Sequence, residues 1–335
     1  MPLYTPIPVD RPEFHNQTKR IEPTEEEFLS LFDEAKPSTG QKIYRFFTFL
    51  LFLFPVKIIF TITAIIYFAV TIRILGFIHP FVVRPPKDNS DRKAEDAYIK
   101  RQRIFRTVAF YVTWPGIRLC LLGIGIVWIN RTGKLRSDTR TMVMNHQTIA
   151  DCIVMMSQFP LCILAMKSLS SSSFIQAITR VFEMIFVDRA KADAHISKKI
   201  VEVQEDPRHH LPIMIFPEGK ITNGNGLLGF RSGAFISDRP IQGVCIRYKM
   251  WLTSYNMATV CWLEPSMLTF LYQILAIPFI TVNVDVLDPI DFTKGPKLTP
   301  KQKAEKVQLQ MANFFGCPAY RKTNKSIFKG KYHTN

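Results

Sequence analysis

An apolar run at 142–144 ends in a turn holding Asn145, His146 and Gln147, and Asp151 follows five positions after the histidine, where the pattern turns helical. A histidine at a strand-to-helix junction faces a cleft, and an aspartate in the first helical turn folds back onto its ring. That pairing fixes one imidazole tautomer and leaves the other nitrogen free to take a proton from an alcohol. A capping aspartate beside a surface histidine would give the same string, so the pattern needs company. A second apolar run, 213–216, passes into Pro217, Glu218 and Gly219, a rigid turn with a carboxylate and a glycine that lets backbone approach a ligand. A third, 184–187, delivers Arg189 to a loop. Guanidinium matches phosphate bidentately, so Arg189 and Arg231 are candidates for gripping a phosphate, and Lys220 is placed to touch a phosphate or a thioester oxygen, or else points to solvent. Glu218 is expected to bond acceptor hydroxyls rather than act as an acid. No G-x-S-x-G string accompanies them, so direct attack is a simpler scheme than a covalent intermediate.

The elements that must position these residues alternate along the chain. Strands are expected at 125–129, 140–144, 161–165, 184–187, 213–216, 241–247 and 279–286, and helices at 150–158, 173–182, 190–205, 263–276 and 299–315, the last opened by Thr299-Pro300. This is an α/β pattern: a mostly parallel sheet covered by helices, with ligands at the carboxyl ends of strands, where all three strings sit.

Length and charge bound the rest. The chain has 335 residues and a formal net charge of +16. No compact nucleic-acid-reading motif is present, and the basic residues flank apolar segments, as in 92–106 and 321–331. That placement suits anionic headgroups and phosphates. Six cysteines without C-x-x-C spacing suit a reduced, cytosol-facing domain. No metal site is expected: the adjacent His209 and His210 point apart, and there is no EF-hand loop and no P-loop. The expected organisation is a polar cytosolic segment 1–44, a membrane-embedded segment 45–80, a basic linker and interfacial helix 81–130, a catalytic domain 131–318 and a basic tail 319–335. Pro55, Lys57 and Arg73 interrupt the apolar stretch 46–78, which favours a membrane-embedded helical hairpin within it over a through-going helix. The segment 107–129, with Pro115 and Arg118, reads as an interfacial helix leading into the first core strand.

The three strings together resemble the blocks of the glycerolipid acyltransferase superfamily: N-H-x-x-x-x-D at 145–151, F-[IV]-x-R at 186–189 and F-P-E-G at 216–219. RPIQGVCIRY at 239–248 resembles the fourth block, with Gly243 where many members keep a second proline. Over roughly 45–317 the resemblance is strongest to the lysophosphatidylcholine acyltransferases, in LFPVK at 53–57, EGKITN at 218–223 and FRSGAF at 230–235. Lys220 departs from the usual threonine, and NHQTIAD looks more like the lysophosphatidate acyltransferases.

The resemblance implies acyl transfer from acyl-CoA, a co-substrate and not a cofactor, to the free hydroxyl of a lysophospholipid. Lysophosphatidylcholine or lysophosphatidylethanolamine leads, then lysophosphatidate, then glycerol 3-phosphate. His146 is then the general base and Asp151 its orienter. Asn145, Arg189, Glu218, Gly219, Lys220 and Arg231 make up the substrate-binding set. The setting implied is the endoplasmic reticulum membrane, with the catalytic domain in the cytosol. A lipid-droplet scaffold with an acyltransferase-like domain is the non-enzymatic alternative, and the intact motif residues speak against it.

Overall fold

The protein is described by a computed structural model covering residues 5–34, 36–50, 54–86, 91–187, 193–206, 211–263 and 266–325. Its centre is an eight-stranded sheet in which β1 (Pro6–Ile7), β2 (Ile126–Thr132), β3 (Thr141–Met144), β4 (Cys162–Met166), β5 (Met184–Val187), β6 (Ile213–Ile215), β7 (Ile241–Trp251) and β8 (Phe279–Val286) run in the order β2-β8-β7-β3-β6-β4-β5, with β1 added alongside β7. The pairs β2–β8, β3–β6, β3–β7, β4–β5 and β4–β6 are parallel, whereas β7–β8 and β1–β7 are antiparallel. The α/β expectation therefore holds, and most of the expected strand bounds fall within two residues of those observed. β7 is the main exception, continuing four residues past the expected 247 to Trp251.

The central strand β3 is buried along its whole length, which is why it reads as an unbroken apolar run rather than an alternating one. Its register places Val143 beside Ile215 of β6 and Met144 beside Val244 of β7. Both β3 and β6 therefore end at the same edge, and the turns that follow them emerge side by side. Gly243, the departure in the fourth block, lies opposite Val143, and a Cβ there would come within 2.9 Å of Met311 in α9 (Pro300–Phe315). The glycine lets that helix sit close on the sheet.

The N-terminal region departs from expectation. Instead of a hairpin inside 46–78, a short helix α2 (Thr39–Thr48), preceded by α1 (Glu25–Ser30), is followed by one continuous 29-residue helix α3 (Phe54–Val82). The hairpin partner is α4 (Arg92–Gly123), which begins well before the expected interfacial helix, with the Asp91 carboxylate accepting from the amides of Lys93 and Ala94 at its start. Two of the three expected interruptions lie where they break nothing, and Arg73 stays exposed within the helix. Pro55 occupies the first turn, where its missing N–H has no helical partner to lose. Lys57 is only 3% exposed and turns inward, its Nζ donating to the carbonyls of Leu275 (3.0 Å) and Ile277 (2.5 Å) around the end of α8 (Met267–Ala276).

At the opposite end of α3, Gly76 packs on Ala177 of α6 (Ser173–Val181), and Ile72, Leu75, Phe105, Ala109, Val181 and Phe182 form one buried cluster. A buried ion pair between Arg106 and Glu183 fastens α4 to the same place. Both ends of α3 thus touch one folded domain. Residues 5–34 and 319–325 are docked on the domain, with Ile21 bridging Tyr320 and the Arg11 amide donating to the Gly316 carbonyl at 2.8 Å.

The hairpin rests on close helix approach. A Cβ at Gly123 would stand 2.2 Å from Thr61 Oγ1 and 3.1 Å from the Thr61 backbone nitrogen. Gly123→Val should therefore destabilise the fold by about 1–3 kcal/mol, as overpacking does. Gly40→Ala, with nothing within 4 Å, should leave stability unchanged or raise it. Thermal unfolding of the detergent-solubilised variants checks the contrast.

Candidate functional site

The turn after β3 is organised by one carboxylate. Asp151 lies in the first turn of α5 (Ala150–Gln158), where a negative charge is favoured by the helix dipole, and is fully buried. Its Oδ2 accepts from the amides of Gln147 (2.7 Å) and Thr148 (3.0 Å) and meets His146 Nδ1 at 2.9 Å, while Oδ1 accepts from the Tyr248 hydroxyl at 2.6 Å. A carboxylate so held is an acceptor, so His146 must present a proton on Nδ1 and a lone pair on Nε2. The imidazole is stacked on Phe216 with ring centroids 4.1 Å apart, and the side chain keeps 21% of its surface open. No described group bonds Nε2. An oriented imidazole, partly open to the surface and with one nitrogen bonded by no described group, is the arrangement a general base requires.

Glu218 comes to the same place from β6 and is also fully buried. Its Oε1 accepts from the His146 amide at 3.2 Å and its Oε2 from the Leu228 amide at 3.0 Å. Burial pushes its carboxyl up to about 8, with the nearby Asp151 charge adding to the rise and the two amide bonds opposing it. The side chain expected to greet acceptor hydroxyls therefore spends both oxygens on backbone, tying the histidine turn to the 218–228 loop. Gly219 is in the left-handed region at φ +67°, where a Cβ would strike Arg231 and Asn324 at 2.9 Å.

Asn145 is buried, and its amide donates to the Ile246 carbonyl and accepts from the Ile246 amide, both at 2.9 Å, extending the β3–β7 ladder by one side chain. Arg231 bonds Asn324 Oδ1 through Nε (3.2 Å) and a terminal nitrogen (3.0 Å) and is partly buried. Lys220 is half-buried with its ammonium 4.7 Å over the Phe32 ring, and burial lowers its pKa. Arg189 lies outside the described residues, as does the His209-His210 pair.

Two contributors escaped the sequence reading. Tyr248 closes the 239–248 string, but nothing in its spacing assigned it a role. The N-terminal segment is the other. Asn223 donates to the Ser30 carbonyl at 2.7 Å, and its own amide donates to the Leu31 carbonyl at 2.9 Å, so α1 braces the loop that carries Glu218. The signal for α1 was present in Thr24-Glu25-Glu26-Glu27, whose first and last residues form a capping box.

The buried Glu218 carboxyl makes a pH prediction. With its pKa raised from 4.5 to about 8, the folded protein holds a proton there that the unfolded chain has already lost, so stability falls as pH rises between those values. The melting temperature of the wild type should drop from pH 5 to 8.5 relative to Glu218→Gln, which has no charge to acquire. A difference that stays flat across this window would count against the buried acid.

Residues 134–247 match the family model described as Acyltransferase. The lysophospholipid acyltransferase LPEAT2 of Arabidopsis thaliana is 32% identical over 152 residues, 43% of this chain and 28% of that protein. Lysophosphatidylcholine acyltransferase 2 of Danio rerio is 29% identical over 208 residues, covering 60% and 38% of the two chains. The human lysophospholipid acyltransferase LPCAT4 is 29% identical over 213 residues, covering 60% and 39%. The matched region thus spans well under half the length of these relatives. Among solved structures, the 1-acyl-sn-glycerophosphate acyltransferase PlsC of Thermotoga maritima superposes with a TM-score of 0.44 at 16% identity, covering 77% of this chain and 97% of that one.

Proposed function

From a domain at 134–247 that belongs to the acyltransferase superfamily, we propose that this protein is an enzyme transferring an acyl chain from acyl-CoA to the free hydroxyl of a lysophospholipid, with choline or ethanolamine headgroups favoured. The observation that carries the reading is the buried Asp151 bond to His146 Nδ1, which leaves Nε2 as an open base. In the proposed reaction Nε2 takes the acceptor hydroxyl proton as its oxygen attacks the thioester carbonyl. Collapse of the tetrahedral intermediate breaks the C–S bond, and the imidazolium returns the proton to the departing thiolate. Asp151 holds the tautomer and steadies the imidazolium. Arg189, together with Gly219 and Lys220 of the loop after β6, is proposed to hold acceptor phosphate.

His146→Ala and Asp151→Asn should each lower kcat by about three orders of magnitude or more while leaving the melting temperature within a few degrees of wild type. The assay uses purified protein, labelled acyl-CoA and a panel of lysophosphatidylcholine, lysophosphatidylethanolamine, lysophosphatidate and glycerol 3-phosphate. Activity of His146→Ala within tenfold of wild type would remove the base assignment, and the panel ranks the acceptors.

The membrane setting follows from the hairpin. Ile59, Ile62, Ile66, Ile74, Phe77 and Phe81 of α3, with Ile104, Val108 and Tyr111 of α4, expose apolar surface that lipid would cover. The α3 helix is about 40 Å long at 1.5 Å per residue, enough to cross a bilayer. Yet both of its ends rest on the catalytic domain, so we propose that the hairpin lies in one leaflet of the endoplasmic reticulum membrane with the domain on the cytosolic face. Cysteines introduced at the exposed positions Lys42 and Arg84 of a cysteine-depleted protein should then both react with an impermeant maleimide added to sealed microsomes. Protection of one and labelling of the other would show a through-going helix instead.

A further inference from the structure

A third residue stands behind the histidine–aspartate pair. β7 runs on past the end of β3: their pairing stops at Met144–Val244, the Asn145 amide extends it to Ile246, and the next residue on that face is Tyr248. Its ring is fully buried in the same apolar cluster as Val244, Ile246, Ala150 and Val154. A phenol in such a place needs a partner for its hydroxyl, and the partner is Asp151 Oδ1 at 2.6 Å. The two carboxylate oxygens are thus divided, one serving the tyrosine and the other the imidazole and two amides.

We propose that Tyr248 is a positioning residue for acyl transfer: its hydroxyl fixes the Asp151 carboxylate and sets how strongly that carboxylate polarises His146. The inference rests on the catalytic reading of His146. A donor on Oδ1 draws negative charge away from Oδ2 and so tempers the pull on the imidazolium. Burial and the adjacent carboxylate hold the phenol well above its ordinary pKa, so it stays a donor throughout the working range. The other titratable groups around Asp151 are His146, Cys152 of α5, Glu218 and Cys261. The two thiols are raised to about 12 and titrate outside the acid range, which leaves His146 and Glu218 to shape it.

The test compares wild type, Tyr248→Phe and protein carrying 3-fluorotyrosine at position 248, following the pH dependence of kcat/KM with acyl-CoA and lysophosphatidylcholine. Losing the donor leaves more charge on the carboxylate, so Tyr248→Phe should move the acid limb up by about half a pH unit and lower kcat by about tenfold, with both KM values unchanged. The more acidic fluorophenol donates more strongly, keeps the ring and its fit, and should move the limb down. Diethyl pyrocarbonate modification of His146, which follows the neutral imidazole, should shift in the same order without reference to turnover. Coincident limbs in all three proteins, with any loss in Tyr248→Phe tracking its folded fraction, would overturn the proposal and leave the base assignment standing. If Tyr248→Phe does not fold, the fluorotyrosine arm decides alone. Full activity in His146→Ala would overturn both.

Discussion

Everything at the turn after β3 depends on burying the negative charge of Asp151. A lone carboxylate taken from water costs several kcal/mol, and the cost is offset only when its lone pairs are met. Here they are met from three directions: the turn amides of Gln147 and Thr148, the imidazole of His146, and the Tyr248 hydroxyl from β7. Each donor belongs to a segment whose position is fixed by something else, so satisfying the charge and shaping the site are a single event. The histidine is held because the aspartate needs it.

The same economy appears one layer out. Glu218 could have faced the cleft, but its oxygens join the histidine turn to Leu228, and the loop between is braced from outside by α1 through Asn223. The Asn324 side chain accepts from Arg231 and donates to the Gly219 carbonyl at 2.9 Å, so the C-terminal segment supports the loop from the other side. Segments from both ends of the chain thus converge on the one loop that follows β6. A loop assembled this way is rigid by construction, as a site that must hold reacting groups within fractions of an ångström needs to be.

Much of this was legible in the sequence. The strands were visible because a sheet buried on both faces leaves unbroken apolar runs, and the His146–Asp151 pair because its spacing spans one turn and the start of a helix. What stayed hidden were partners set by tertiary register. Tyr248 reaches Asp151 only because β7 lies beside β3 and overruns it, and no local pattern encodes that. Asn145 and Arg231 carry the polar chemistry of ligand-binding residues, and only the fold shows their hydrogen bonds going to Ile246 and Asn324.

The long apolar helix α3 shows the opposite failure, a rule applied where its premise did not hold. Lys57 argues against a helix in lipid only if its side chain must face lipid. In the fold it faces protein, and its ammonium satisfies two carbonyls around the end of α8 that would otherwise be left without donors. Pro55 argues against a helix only beyond its first turn. With Pro55 and Lys57 so placed, α3 runs unbroken from Phe54 to Val82, and α4 from Arg92 packs against it. Because Lys57 at one end and Gly76 toward the other both rest on the sheet domain, the helix is a wall of that domain, and the apolar face it leaves outward is set by the same packing.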